Sequence, residues 1–252
     1  MIFRYDTLDS SNDELRRRFL AGQAAAGDVV WAREQYAARG RTGRSYVCRK
    51  DGGLWFSVLL QPRCAPEDLP MLTPRVAVEL VRVLERECPL TDGLRYEIKW
   101  PNDILAAGKK ICGILCEALP CPGGGFAVIA GIGLNLREDC FDGAPELRDR
   151  AAALAAFCAE MPEAEALLAS FAGALAHLGQ GFPAGHEEAL AQYGRHLAYE
   201  GRTVALLPRD GVGEGLRARV LGTGEDFSLR VALENGEEEN IRSGELSLRE
   251  AE

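Results

Sequence analysis

Lysine is scarce in this 252-residue chain: of 29 basic residues only four are lysine, and three of those, Lys99, Lys109 and Lys110, fall within twelve positions. Histidine is rarer still, at three. The eight cysteines include no C-x-x-C pair, which excludes a zinc ribbon or a thioredoxin-type redox motif. Cys112, Cys116 and Cys121 come nearest to a metal pattern. They lack a histidine or a fourth cysteine at ligand spacing, so they read as buried thiols of a reducing compartment, and no bound metal is expected. No stretch approaches the ~18 consecutive apolar residues of a membrane span, and the N-terminus "MIFRYDTLDSSNDELRRRF" lacks the apolar core of a signal peptide. A cytoplasmic protein is the expectation. Excess positive charge is also missing: a net charge of −9 has the wrong sign for a chain devoted to nucleic acid.

What is present is 47% hydrophobic residues, enough for one large domain with a real core or for a domain with an appendage. The charge is uneven. Arg33 to Lys50 holds six basic residues and one acidic, and such a basic, glycine-bearing loop in an acidic protein suits a small anionic ligand, a phosphate compound or a carboxylate.

Ser11 and Glu14 have capping-box spacing ahead of Leu15 and Phe19, which predicts a helix start. "DVVWAREQ" and "LWFSVLLQP" read as strands on either side of the basic loop. Thr73-Pro74 opens a helix through "RVAVELVRVLERE", and "RYEIKW", "KKICGILCEAL" and "FAVIAGIGLNL" read as further strands. From about 145 to 195 the chain turns alanine-rich, predicting helices over "AAALAAFCAEM" and "EALLASFAGALAHL". Beyond a boundary near 198, short alternating segments punctuated by glycine predict a small all-β unit. The expected division is thus 1–197 and 198–252.

Three stretches carry chemistry. In "ARGRTGR", Arg39, Arg41 and Arg44 alternate with small residues, so the backbone can fold close to a ligand while guanidiniums grip its oxygens. The stretch lacks the Lys-Ser/Thr of a Walker loop, and a solvated basic turn has the same composition. In "KWPND", Asn102 and Asp103 either close a turn or place a carboxylate to orient a nucleophile or a phosphate-bound Mg²⁺. In "KKICGILCE", strand parity sends Lys109 and Lys110 to opposite faces without saying which face matters.

Taken together, "DSSN" at 9–12, Gln35 ahead of "RGRTGR", "KWPND", "KKICGILCE" and "GIGLNL" resemble, in order, the motif set of biotin protein ligases: D-S-T-N, G-R-G-R-x-G-R, K-W-P-N-D, K-x-x-G-I-L-x-E and G-x-G-x-N. The terminal "SGELSLRE" is similar to the end of that family's small C-terminal domain, and the alanine-rich middle adds nothing to the match. The resemblance implies an α+β fold, a class II aminoacyl-tRNA synthetase/biotin synthetase-like mixed sheet with flanking helices plus a small SH3-like barrel. It also implies a two-step reaction in which biotin and MgATP form biotinyl-adenylate and a lysine of a biotin carboxyl carrier domain then attacks it.

By the same resemblance, Ser10, Ser11, Asn12 and Gln35 would contact the biotin head, and Arg39, Gly40 and Arg41 would close over biotin and the reacting phosphate. Lys110 would meet the biotin carboxylate, and Gly113 and Gly131 would allow close backbone approach. Asp103, Arg44 and Asn135 would serve the nucleotide side, Asp103 also assisting the incoming lysine. Arg41, Lys110 and Asp103 are the expected catalytic residues. Two positions depart from the family pattern. Ala38 stands at a usual glycine, costing on the order of 1 kcal/mol if φ > 0 is required there. Tyr46 stands at a usual tryptophan and is a candidate to pack on adenine.

Only eight residues precede Asp9, too few for the DNA-binding unit some family members carry, so a ligase alone is expected, as monomer or homodimer. The rivals are a lipoate ligase or octanoyl transferase of the same fold, with Cys112 or Cys116 as nucleophile, and a catalytically inactive biotin-binding module. The R-R-x-S-G-G-G typical of the lipoate and octanoyl enzymes is absent.

Overall fold

The computed structural model describes residues 1–43, 46–121, 123–208, 215–242 and 246–250. Seven strands form one mixed sheet: β1 (Ile2–Leu8), β2 (Val29–Gln35), β3 (Gly53–Leu60), β4 (Tyr96–Lys99), β5 (Asp103–Ala106), β6 (Lys109–Pro120) and β7 (Phe126–Asn135). Their spatial order is β1-β2-β3-β7-β6-β5-β4. Only β1 and β2 are parallel neighbours; every other pairing is antiparallel.

β3 is buried along its whole length. Its even residues, Leu54, Phe56, Val58 and Leu60, join the core beneath α2 (Leu72–Glu87) and α3 (Ala164–Gly181), whereas Trp55 and Leu59 belong to smaller clusters on the opposite face. Each such side chain contributes roughly 1.5–3 kcal/mol of burial. α1 (Ser11–Leu20) packs on β2, β3 and β7, across from α2 and α3. One sheet face is therefore sealed by two long helices and the other by one short helix, which leaves room beside it.

Helix α1 begins one residue earlier than the capping box suggested. Ser10 is the N-cap and its Oγ accepts from the Asp13 amide, while the Glu14 carboxylate pairs with Arg17 and Arg18. The cap shift places Ser11 and Asn12 inside the first turn, buried against the sheet.

The alanine-rich stretch 151–161 is not the helix its composition predicts. Apart from one 3-10 turn at Leu154–Ala156 it is irregular, with single bridge positions at Ala151 and Cys158, because backbone groups of neighbouring segments claim its hydrogen bonds. Ala152 N donates to Lys110 O at 3.0 Å, Ala155 N to Leu136 O at 3.1 Å, and Thr91 N to Phe157 O at 2.9 Å. Tertiary pairing outweighs alanine's modest helix preference. The second alanine-rich segment does form α3, followed by α4 (His186–His196).

The C-terminal strands β8 (Thr203–Pro208), β9 (Leu216–Thr223), β10 (Leu229–Leu233), β11 (Glu238–Ile241) and β12 (Leu246–Glu250) make an antiparallel sheet in the order β11-β10-β9-β8-β12. Its apolar residues Val204, Leu206, Val220 and Val231 belong to the same core cluster as α4 and the large sheet. Phe227 sits at the joint: its ring meets Tyr193 of α4 edge-on at 5.4 Å, and its carbonyl accepts from Trp100 Nε1 at 3.0 Å. Among the described residues no helix is long and apolar enough to cross a membrane.

Candidate active site

On the α1 side of the large sheet lies a cavity of about 600 Å³. Its floor is cut by glycine. On β7 the residues Ala127, Ile129, Gly131, Gly133 and Asn135 share one face, and the two glycines leave open the space that larger side chains would fill. A Cβ on Gly131 would overlap the Asn12 amide, and one on Gly133 would come 2.9 Å from the Tyr46 ring.

One end of the cavity is neutral and rich in hydrogen-bonding groups. Ser10, Ser11 and Asn12 are each 5% exposed. Ser11 N donates to Gln35 Oε1 at 2.6 Å, Ser57 Oγ lies 2.7 Å from Ser11 Oγ and 2.5 Å from Asn12 Oδ1, and Asn12 Nδ2 donates to Glu117 Oε2 at 2.7 Å. The Asn12 side chain is thus fixed from both sides.

The other end is charged. Lys110 Nζ is 2.7 Å from Asp103 Oδ1, with the two side chains 30% and 20% exposed, and lies 5.5 Å from the centre of the Tyr46 ring. Lys109 points elsewhere: it is exposed and its Nζ donates to Arg148 O at 2.9 Å. Simple alternation counted from Gly113 would put Lys109, not Lys110, beside the glycine. A register slip reverses this. Ile104 pairs with Cys112 but Leu105 pairs with Lys110, leaving Ile111 as an extra residue, and the bulge brings Lys110 onto the Gly113 face. A Cβ on Gly113 would in fact come 2.9 Å from Lys110 Nζ. The Lys110 backbone is pinned as well, its amide donating to Arg150 O at 2.9 Å.

Asn135 is buried at this end and its Nδ2 donates to Ala152 O at 3.3 Å. Tyr46 OH donates to Gly133 O at 2.8 Å, and burial drives its phenol well above the ordinary range, so it stays protonated. Tyr46 N also bonds Ala38 O at 3.0 Å, closing the base of the arginine loop. Ala38 does not adopt a positive φ, so the strain expected of an alanine at this position does not arise.

The loop arms reach back onto the domain. Arg39 Nη2 meets Asp13 Oδ1 at 2.6 Å and Arg41 Nη1 donates to Asn102 Oδ1 at 3.2 Å, with Gly40 between them at the cavity wall. Arg44 lies outside the described residues. The other twelve sequence-derived positions, from Ser10 to Asn135, all line this one cavity. Ser57, Glu117, Asp13 and Arg150 were not among the expected site residues. Ser57 and Glu117 are strand residues on the cavity face, visible only through register. Asp13 is a helix residue that only packing brings to Arg39. Arg150 sits in the stretch whose composition signalled nothing but helix.

Among the described lining residues, five cationic side chains (Arg39, Arg41, Lys99, Lys110 and Arg150) face one carboxylate, Asp103, in a chain whose overall charge is −9. Such a site concentrates anions. No group of three or more His, Cys, Asp or Glu among the described residues is placed to hold a metal. All eight cysteines are free, and burial pushes the Cys112 and Cys116 thiols up to about 12.

A mixed sheet carries a glycine-floored cavity that is neutral at one end and cationic at the other, a shape and charge suited to an elongated small molecule with a polar head and an acidic tail. The chain matches the Biotin/lipoate A/B protein ligase family over residues 5–135, half its length, and belongs to that family. It is 35% identical over 150 residues to the bifunctional ligase/repressor BirA of Bacillus spizizenii, covering 60% of this chain and 45% of that one. It is 38% identical over 128 residues to the biotin--[acetyl-CoA-carboxylase] ligase of Paracoccus denitrificans, covering 51% of each. The chain thus spans about half the length of the curated relatives it matches. Its structure superposes on the Aquifex aeolicus biotin protein ligase solved with biotin and ATP with a TM-score of 0.80 at 25% identity, covering 99% of both chains. The expected α+β architecture of a large mixed sheet with flanking helices and a small C-terminal β unit is the one found, and the strands of the unit expected as an SH3-like barrel form an antiparallel sheet.

Proposed function

We propose that this protein activates biotin with MgATP as biotinyl-5'-adenylate and transfers it to a lysine of a biotin carboxyl carrier domain, within a reducing, cytoplasmic compartment. The observation that carries the reading is that one continuous cavity joins the neutral Ser10–Asn12 end to the Lys110–Asp103 end.

In this reading the buried Ser10, Ser11 and Asn12 and the half-buried Gln35 present hydroxyl and amide groups to the ureido ring, which has matching donors and acceptors. The biotin tail runs over Gly131 towards Lys110. Its carboxylate oxygen attacks the α-phosphorus of ATP and pyrophosphate leaves, so the cations offset the repulsion between a carboxylate and a triphosphate. Lys110 exchanges its Asp103 partner for the ligand carboxylate, and Arg39 and Arg41 cover the reacting groups and keep water from the mixed anhydride. Asp103 is the sole carboxylate among the described lining residues; it suits a nucleotide-bound Mg²⁺, which takes few protein oxygens, and it orients the incoming amine. That amine attacks the acyl carbon, AMP leaves and a proton is released. Asn135 and Arg44 serve the nucleotide. Residues 198–252 form a second, small domain in this proposal, packed on the Trp100 turn.

Lipoate fits the neutral end poorly. Its dithiolane offers no hydrogen-bonding groups to the polar side chains lining that end, whereas a ureido ring does, and such a difference discriminates between substrates. A cysteine-based transfer is disfavoured by the protonated, buried state of the Cys112 and Cys116 thiols. A mere biotin-binding module has no use for cations at a triphosphate site. The test is mass spectrometry of an apo carrier domain incubated with the protein, ATP and either biotin or lipoate. A biotin-sized mass gain, absent with lipoate, is expected; lipoylation, or biotin binding without pyrophosphate release, refutes the proposal.

A further inference from the structure

Arg39 is held by a residue that belongs to none of the motifs. Asp13, in the first turn of α1, offers one oxygen to two guanidiniums: Oδ1 is 2.6 Å from Arg39 Nη2 and 3.2 Å from Arg16 Nη1. Arg16 Nη2 in turn meets Glu117 Oε1 at 2.9 Å, and the other oxygen of Glu117 accepts from Asn12 Nδ2 at 2.7 Å. An unbroken polar chain therefore runs from the arginine loop to the neutral end of the cavity. The Asp13 side chain is 20% exposed, that of Glu117 25%, that of Arg16 30% and that of Arg39 44%, so solvent screens the Arg39 end more than the rest of the chain.

The geometry matters because Arg39 sits on a glycine-bearing loop, at a lone β-bridge position just ahead of the 3-10 turn Arg41–Gly43, and not within a strand or α-helix. Guanidinium has five donors in a fixed fork, and one nitrogen bound to Asp13 leaves the remaining donors for a ligand. Without such an anchor, the neighbouring like charges at Arg41 and along the loop would splay the arms apart. Arg16 has the complementary task of holding Asp13, because it is itself fixed by Glu117.

We infer that Asp13 is a positioning residue that fixes Arg39 at the mouth of the cavity, so that the loop closes over the bound acyl-adenylate with little reorganisation. The inference rests on the proposed ligase activity. It assigns to Asp13 a contribution to intermediate retention and biotin affinity rather than to the chemical step.

The experiment loads the full chain with biotin and ATP, removes free ligand and follows loss of biotinyl-adenylate. Asp13→Asn is expected to speed that loss about three- to tenfold, in keeping with one partly screened ion pair, and to raise KM for biotin by a similar factor. Its kcat for biotin-dependent pyrophosphate release at saturating biotin stays within about twofold. Asp13→Glu restores much of the loss, and Arg39→Ala combined with Asp13→Asn is no worse than Arg39→Ala alone. Slower adenylate loss or a lower KM would mean that Asp13 competes with the ligand for Arg39 and overturns the inference, as do unchanged values or additive effects in the double variant. If Asp13→Asn alone is unstable, the Asp13→Glu comparison and the cycle decide. A wild-type chain that releases no biotin-dependent pyrophosphate removes the ligase proposal itself, and this inference with it.

Discussion

Replacing Lys110 by alanine removes the ammonium 2.7 Å from Asp103 and takes the point charge out of the cavity's cationic end. In the proposed reaction that charge faces the biotin carboxylate and the negative charge building on the α-phosphate. A unit charge at about 4 Å in surroundings of effective dielectric about 20 is worth ~4 kcal/mol, and partial exposure of Lys110 lowers the net figure towards ~3. That corresponds to a loss of about 10²–10³ in rate, the range found when one preorganised stabiliser is removed. Lys109 gives the internal control. Its ammonium lies on the far side of the bulge, donating to Arg148 O, so Lys109→Ala should change the rate less than about threefold. The assay is biotin-dependent ATP–pyrophosphate exchange, which reads adenylation without the carrier domain. Equal losses at the two positions, or a larger loss at Lys109, would refute both the face assignment and the role given to Lys110.

Gly131→Ala should act through Asn12, whose amide the new methyl would overlap; surrendering the bonds to Ser57 and Glu117 costs about 2 kcal/mol, expected as a roughly 30-fold higher KM for biotin by steady-state kinetics. Tyr46→Phe leaves Gly133 O without its 2.8 Å donor and should lower stability by about 1 kcal/mol in denaturant titration, while the ring keeps its place by Lys110. Cys112→Ala should retain most activity, and its rate profile between pH 6 and 9 should match the parent, because a thiol near 12 contributes no thiolate limb. The Asp9 carboxyl is held at about 2 chiefly by the Arg17 guanidinium, below its ordinary 3.8. Its stabilisation is present above pH 3.8 and lost as pH falls through about 2; with Arg17 half exposed it amounts to about 1 kcal/mol, so the stability gap between the parent and Asp9→Asn should close over that window in acid titration followed by circular dichroism.

Much of the fold was legible because its strands carry their own signals. β2, β3, β6 and β7 fall where β-branched and aromatic runs have glycine or proline close to at least one end, and the expected helix of 73–87 is α2. β1 escaped notice, since an edge strand of alternating exposure looks like a polar terminus. The stretch 151–161 misled because composition reports local preference, whereas its backbone pairs with Lys110 and Leu136. The expected site positions were legible as residues but not as a place. Periodicity cannot state that Ser57 stands behind Ser11 and Asn12, because the two elements are 45 residues apart and meet only through α1 packing on β3. Asp13 was invisible for the same reason.

The extra residue at Ile111 has a consequence for how such motifs are read. Two side chains serving one face of an undisturbed strand stand an even number of positions apart, yet Lys110 and Gly113 are separated by three. The odd interval is the written trace of the bulge. It follows that the K-x-x-G spacing and the bulge require each other: if the same three-residue interval were paired without the extra residue at Ile111, the ammonium and the glycine would fall on opposite sides of the sheet. An odd interval between two residues that must share a pocket is a sign, readable before any coordinates exist, that a strand has been deliberately broken in step.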